Sequence, residues 1–379
     1  MLTIALTGGG TGGHIYPGIA VAEALVTPGA AESAPENGGT SSAASGIRVF
    51  WIGSRNGMDR SIVEEAGILF YGVSAGKLRR YLSFKNVLDM FRVLSGFFAS
   101  RRILKKERPA ALFSKGGFVS VAPCAAARSL GIPVFTHESD LSPGLATRIN
   151  ARFARMIFTA YGETARRLGK YASRVKVSGN PVRGVFFRAC RETGRAFLGL
   201  SDEKPVLLVL GGSQGALEIN ELVAAWLPGL VSRFTVVHQT GSKWEAPAAT
   251  ESYRPCRYLN REMPHVLAAS DLVLGRSGAG TLWECAVLGR PMVLIPLRGR
   301  GTRGDQVENA EVFRKAGAAV VLAPEELRNG QGLSRVLALA DDAGKLAAMA
   351  ACSREMGRTD AASCIAETML HSIGGDNAS

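Results

Sequence analysis

Short apolar runs alternate with amphipathic stretches of helical period along almost the whole chain. The runs at 4–6, 47–52, 111–113, 133–136 and 156–159 come first. The rhythm then restarts at 206–210 and continues at 234–238, 272–274, 292–295 and 319–322. Runs with no polar alternation suit strands covered on both faces, so the pattern predicts parallel sheets flanked by helices. Each half opens alike, with a buried run, a glycine cluster and a helical pattern. Two such openings predict two Rossmann-like domains, an α/β architecture. The expected division is 1–180 and 181–345, with the junction near 179–187. Amphipathic helices over about 343–372 are expected to close the chain, with 346–379 packing back on the first domain. A helix over 87–104 is expected to bury its apolar face in a core. Residues 28–46, rich in Ala, Gly, Ser and Pro, read as a surface loop, not a lid.

Composition narrows the classes. The chain has 379 residues, 46% of them hydrophobic, enough for two cores. The 45 basic and 32 acidic residues leave a net charge of +13, which favours a polyanion, a phosphorylated substrate or an anionic membrane surface. Six cysteines stand without a C-x-x-C pair, so reduced, buried thiols are expected in place of a zinc or redox site. The glycines begin at Gly8, too early for an export leader, and no apolar run approaches the ~20 residues of a bilayer span. Export is therefore not expected, while surface attachment stays open.

Chemistry concentrates in the turns. The N-terminal segment IALTGGGTGGHIYPGIAVAEAL places Thr11, Gly12, Gly13 and His14 where a strand gives way to a helix. Free N–H groups and the positive end of the helix dipole there suit an anionic or hydroxylated ligand. Gly8, Gly10 and Gly13 match a dinucleotide spacing, but the next strand ends Gly53-Ser54-Arg55-Asn56 with no acid for a ribose, which speaks against NAD(P). The second domain opens with Gly211-Gly212-Ser213-Gln214-Gly215. This also fits a hydrolase nucleophile elbow, yet no suitable acid and histidine follow, and Ser213 better suits a phosphate. In RSGAGTLWE a turn launches a helix near Gly278, with Glu284 in its second turn, able to accept from two adjacent hydroxyls. Asp305 and Gln306 follow the cationic loop PLRGRGTRG; a carboxylate beside an amide suits a sugar, although Asp305 also suits a helix cap. Arg183, in SGNPVR at the junction, offers a fork for phosphate oxygens. No D-x-D pair exists to hold a diphosphate through a metal, so helix dipoles and arginine are expected to neutralise it.

Together these segments resemble the MurG family of N-acetylglucosaminyltransferases, which act in the last intracellular step of peptidoglycan precursor synthesis. The resemblance rests, in order, on GGGTGGHIYPGIAVAEAL, SKGGFVSVAPCAAARSLGIPVFTHESDLSPGLATRINARFA, GNPVR, GGSQGALEIN, RSGAGTLWE and GDQVENA. It implies a GT-B fold of two Rossmann-like domains facing across a cleft. It implies UDP-N-acetylglucosamine as donor, mainly on the second domain, and lipid I as acceptor, mainly on the first. The sugar would pass with inversion to the 4-hydroxyl of the muramoyl unit, giving lipid II. No cofactor, metal or nucleic acid is implied; other cell-wall synthesis proteins are possible partners.

By motif, Arg183 and Ser213 would meet the diphosphate, and the backbone of Leu259 the uracil. Ala279, Gly280 and Thr281 would line the nucleotide, Glu284 would take the ribose, and Gln306 with Asp305 the sugar. Thr11, Gly12 and Gly13 would approach the donor sugar and the acceptor diphosphate. His14, Glu138 and Asp140 are the candidate bases. Many relatives read His-Glu-Gln-Asn where this chain has His137-Glu138-Ser139-Asp140, which puts the role of Asp140 in question.

A lipid acceptor implies a peripheral enzyme on the cytoplasmic face of the bacterial inner membrane. The expected contact is the loop before the 87–104 helix. Leu78, Tyr81, Leu82 and Phe84 would enter the interface, and Arg79, Arg80 and Lys85 would meet anionic headgroups.

Overall fold

The computed structural model describes the chain except residues 28–45, 77–83, 201–203, 213–214, 300–301 and 375–379, and except the side chains of 84–89. The chain forms two compact units, Met1–Gly184 with Thr359–Ser379, and Val185–Arg358. The expected surface loop at 28–46 lies almost wholly outside the described residues, as do Leu78, Arg79, Arg80, Tyr81, Leu82 and Ser213.

The first unit is built on β1 (Leu2–Thr7), β2 (Ile47–Ser54), β3 (Leu69–Val73), β4 (Ala111–Ser114), β5 (Val134–Glu138), β6 (Ala154–Thr159) and β7 (Val175–Val177). They form one sheet in the order β3-β2-β1-β4-β5-β6-β7, and every pairing is parallel. Strand order reverses between β1 and β4, so the loops after these two strands part and leave a crevice at their C-terminal ends. One face of the sheet packs on the helices Gly12–Val26 and Ala361–Gly374 through Ile15, Ile19, Phe135, Ile365 and Met369. The other packs on Leu104, Cys124 and Ala127 of the helices Phe84–Glu107 and Val121–Ser129.

The second unit repeats the plan with β8 (Val206–Leu210), β9 (Thr235–Gln239), β10 (Tyr253–Cys256), β11 (Leu272–Gly275), β12 (Met292–Leu294) and β13 (Ala319–Val321). The sheet order is β10-β9-β8-β11-β12-β13, again all parallel, with the reversal between β8 and β11. The segment expected to return to the first domain is divided. Helix Ala343–Gly357 stays in the second unit, where Gly357 lies so close to Ala286 and Val287 that a Cβ would collide with their backbone. Only Ala361–Gly374 joins the first unit.

Two expectations need correction. The helix expected at 87–104 runs Phe84–Glu107, and it does not bury all its apolar side chains. Phe97, Ile103 and Leu104 face the core, while Met90, Phe91, Leu94 and Phe98 are 48–66% exposed. At 3.6 residues per turn these four share an arc of about 100°, so the helix carries a second apolar stripe. Of the six free thiols, only Cys124 and Cys285 are buried; the other four are partly exposed.

Candidate active site

In the first unit three glycine-bearing segments meet at the β1/β4 switch point. Gly9 sits so tightly against Asp59 that any Cβ would strike its carboxylate, and Gly10 (φ +89°) lies against the Phe118 ring. Gly117 (φ +77°) leaves no room for a Cβ between the Gly9 carbonyl and the His14 ring. At Gly9 the close approach alone requires glycine, and at Gly10 and Gly117 both the backbone angle and the close approach do. Asp59 is fully buried and accepts from Gly10 N (3.1 Å) and Ser54 N (2.9 Å). Its carboxylate therefore fixes the turn that delivers Thr11, Gly12, Gly13 and His14. Thr11 is extended and its hydroxyl caps nothing; its carbonyl takes the His14 N–H (3.0 Å), which leaves the N–H groups of Gly12 and Gly13 to the crevice. His14 is half-buried there.

The candidate bases Glu138 and Asp140 stand at the end of β5. Glu138 is 5% exposed, and its two carboxylate oxygens accept from Asp140 N (3.1 Å) and Gly144 N (2.9 Å). Its geometry is that of a brace for the 138–144 turn. His137 is buried and directs Nε2 at the Gly179 carbonyl, 2.9 Å away; burial and the nearby Lys115 ammonium push its pKa well below the usual value. The imidazole is thus neutral, with the Nε2 proton donated to that carbonyl. Ser139 donates to Asn180 Oδ1 (2.7 Å) and accepts from the Lys115 ammonium. Arg183, three residues beyond Asn180, belongs to the first unit and lies over the Tyr16 ring, 4.5 Å from its centroid. The structure thus brings Arg183 onto the helix that carries His14.

In the second unit Gly211 and Gly212 follow β8, and Gly212 takes φ +95°. Gln239, at the end of β9 and 3% exposed, links two predicted ligand contacts. Its Nε2 donates to the Gly212 carbonyl (3.3 Å), and its Oε1 accepts from Leu259 N (2.9 Å). The Leu259 N–H is therefore engaged within the protein. Beside this turn, helix Ala279–Val287 starts after β11, capped by an extended Gly278. Ala279, Gly280, Thr281 and Glu284 are all partly exposed, and a Cβ on Gly278 or Gly280 would meet open space. Ser277 donates to the Gln306 carbonyl (2.7 Å), and Leu297 N donates to Gln306 Oε1 (3.0 Å). Gln306 is thereby held next to the helix start with its amide N–H groups still to offer. Asp305 pairs with Arg303 (2.8 Å), while the cap of helix Asp305–Lys315 is Gly304 at φ +76°.

The structure thus gathers Thr11, Gly12, Gly13, His14, Glu138, Asp140 and Arg183 in the first unit. It gathers Leu259, Ala279, Gly280, Thr281, Glu284, Asp305 and Gln306 in the second. Asp59, Lys115, Asn180 and Gln239 were not anticipated. Each works through a partner more than 20 residues away, which spacing along the chain does not reveal. Among the described residues no cluster of three or more His, Cys, Asp or Glu is arranged to hold a metal ion. Nor, among them, is any helix long and apolar enough to cross a membrane.

The chain matches two family models, the glycosyltransferase family 28 N-terminal domain over residues 43–159 and the family's C-terminal domain over residues 206–365. Two relatives carry the name UDP-N-acetylglucosamine–N-acetylmuramyl-(pentapeptide) pyrophosphoryl-undecaprenol N-acetylglucosamine transferase. The one from Treponema pallidum is 46% identical over 383 residues, covering 97% of this chain and 94% of the relative. The one from Treponema denticola is also 46% identical, over 86% and 85% of the two chains. Among solved structures, Acinetobacter baumannii MurG superposes with a TM-score of 0.69 at 23% identity, covering 98% of this chain and 100% of that one. A UDP-GlcNAc 2-epimerase from Neisseria meningitidis, bound to UDP-GlcNAc, gives 0.65 at 14% identity, over 98% and 100%. The shared architecture is the two-domain GT-B fold.

Proposed function

The chain belongs to glycosyltransferase family 28, and on that premise we propose that it transfers N-acetylglucosamine from UDP-N-acetylglucosamine to lipid I, forming lipid II. The observation that carries this reading is 46% identity to a named transferase across 97% of the chain. The reaction is a displacement with inversion. The 4-hydroxyl of the muramoyl sugar attacks the anomeric carbon, the bond from that carbon to the diphosphate breaks, and UDP leaves. The hydroxyl proton passes to a base, and the charge growing on the diphosphate is stabilised by donors already in place.

We assign the base to His14. It sits at the mouth of the first unit's crevice, whereas both oxygens of Glu138 are committed to backbone N–H groups. Asp140 is retained as a contact to substrate. Thr11, Gly12 and Gly13 approach the donor sugar and acceptor diphosphate. The leaving diphosphate is assigned to Arg183, Ser213 and the start of helix Ala279–Val287. The Leu259 carbonyl reads the uracil, since its N–H is held by Gln239. Glu284 accepts from the ribose hydroxyls. Gln306 offers its amide N–H groups to the sugar beside Asp305.

The enzyme works peripherally at the cytoplasmic face of the inner membrane, where a lipid acceptor resides. The support is the exposed stripe Met90, Phe91, Leu94 and Phe98, with the exposed Arg102, Lys105 and Lys106 further along the same helix. Large apolar side chains flanked by lysine and arginine suit an anionic bilayer interface. The deciding experiment is transfer of labelled sugar from UDP-N-acetylglucosamine to a short-chain lipid I analogue. Product of the expected mass supports the reading; UDP release with no glycolipid product overturns it.

A further inference from the structure

Lys115 stands at the centre of the first unit's site, yet no ligand contact is assigned to it. It follows β4, donates its backbone N–H to the Thr7 carbonyl (2.8 Å), and precedes the positive-φ pair Gly116 and Gly117. Its side chain is 1% exposed. Among the described residues its ammonium donates one hydrogen bond, to Ser139, which in turn donates to Asn180 (2.7 Å). One buried cation thus ties the end of β4 to the 137–144 segment and to the 178–183 turn that carries Arg183.

A buried ammonium is costly unless it is paired and hydrogen-bonded, so its retention here calls for a reason. Two carboxylates and two imidazoles stand around it. Glu138 and Asp140 approach from the end of β5 and favour the cation. His137 lies on β5 itself and is neutral. His14 lies across Gly116 on the first helix, 3.9 Å from where a Cβ on that glycine would stand.

We propose that Lys115 is a positioning residue for the transfer: its charged ammonium, acting through Ser139 and Asn180, holds the 137–144 segment and the 178–183 turn in the working arrangement. This rests on the transferase reading above. Burial lowers the lysine pKa from 10.5 to about 8, with Glu138 and Asp140 opposing. The ammonium is therefore charged below pH 8 and neutral above it, so activity falls as pH rises through 8. Stability from this group moves the other way. Between pH 8 and 10.5 the unfolded chain binds a proton that the folded chain does not, and the folded state gains as pH rises. Loss of activity without loss of fold separates positioning from simple support.

The test measures transfer between pH 6.5 and 9.5 for the wild type, Lys115→Met and Ser139→Ala, with UDP-N-acetylglucosamine and a lipid I analogue. The wild type is expected to lose kcat through about pH 8. Lys115→Met should lose kcat about tenfold or more at pH 7, since small misplacements cost that much. Its KM for the donor should change much less than kcat, because the contacts assigned to the nucleoside and the sugar, Leu259, Glu284 and Gln306, lie in the other unit, and its alkaline limb should vanish. Should Lys115→Met fail to fold, Ser139→Ala carries the test, because removing the ammonium's acceptor should move the limb to lower pH. A Lys115→Met enzyme with wild-type kcat, or with the same limb near pH 8, overturns the proposal, as does a Ser139→Ala enzyme with an unmoved limb. Absence of transfer by the wild type at every pH would instead sink the transferase reading.

Discussion

Gln239 shows how one buried amide serves two binding elements. It holds the Gly212 turn with its nitrogen and the Leu259 N–H with its oxygen. Replacing it with leucine leaves the buried Leu259 N–H without a partner, at about 1–3 kcal/mol, and frees the part-buried Gly212 carbonyl. Gln239→Leu is expected to raise the KM for UDP-N-acetylglucosamine about tenfold or more with a smaller effect on kcat, read from initial rates. His14→Ala should act on the other parameter: loss of a general base costs about 10²–10⁴ in kcat. A His14→Ala enzyme within a few fold of wild type at saturating substrates removes His14 from the role. His14 was legible from the sequence because a strand, a glycine cluster and a helix start are contiguous around it. Gln239 was not, because its partners lie 27 residues before it and 20 after it. Asp59 is hidden for the same reason, 49 residues from the Gly10 amide it accepts from.

Helix Phe84–Glu107 carries two apolar stripes, and hydrophobic period alone does not say which one faces a core. Burial against β-strands takes Phe97 and Leu104, and leaves Met90, Phe91, Leu94 and Phe98 outward. Met90→Glu with Phe98→Glu is expected to abolish most binding to anionic vesicles while transfer to a soluble acceptor analogue persists. Sedimentation of the double variant with vesicles as readily as wild type would rule out this face. Strand β9 supplies a different test. His238 is fully buried between Tyr253 Oη and Asn220 Oδ1, both 3.1 Å away, and burial lowers its pKa to about 4. The folded value lies below the unfolded 6.5, so the stability held by the neutral imidazole is present above pH 6.5 and lost as pH falls toward 4. Denaturant titration at pH 7 and pH 5 should show the second unit weakened by about 2 kcal/mol, and His238→Gln should reduce that difference.

The chain leaves the first unit at Gly184 and re-enters it at Thr359. Helix Ala361–Gly374 then covers the first helix with Ile365, Ala366, Met369 and Ile373, all buried. At about 1.5–3 kcal/mol for each large apolar side chain, its removal is comparable with the whole stability of a typical domain. Deletion of 359–379 is expected to unfold the first unit while the second keeps its thermal transition, as calorimetry would resolve; two unchanged transitions would contradict this. The plan of two parallel-sheet units could be read directly from the chain. Strand and helix period, glycine turns and helix starts are local properties, and 206–210 repeats the opening of 4–6. Three things lay beyond that reading: the return of Ala361–Gly374 to the first unit, the outward face of Phe84–Glu107, and the polar chain Lys115–Ser139–Asn180. Each depends on which distant surfaces exclude water together and which buried polar groups then find partners. Those are properties of packed elements, and no window of neighbouring residues contains them.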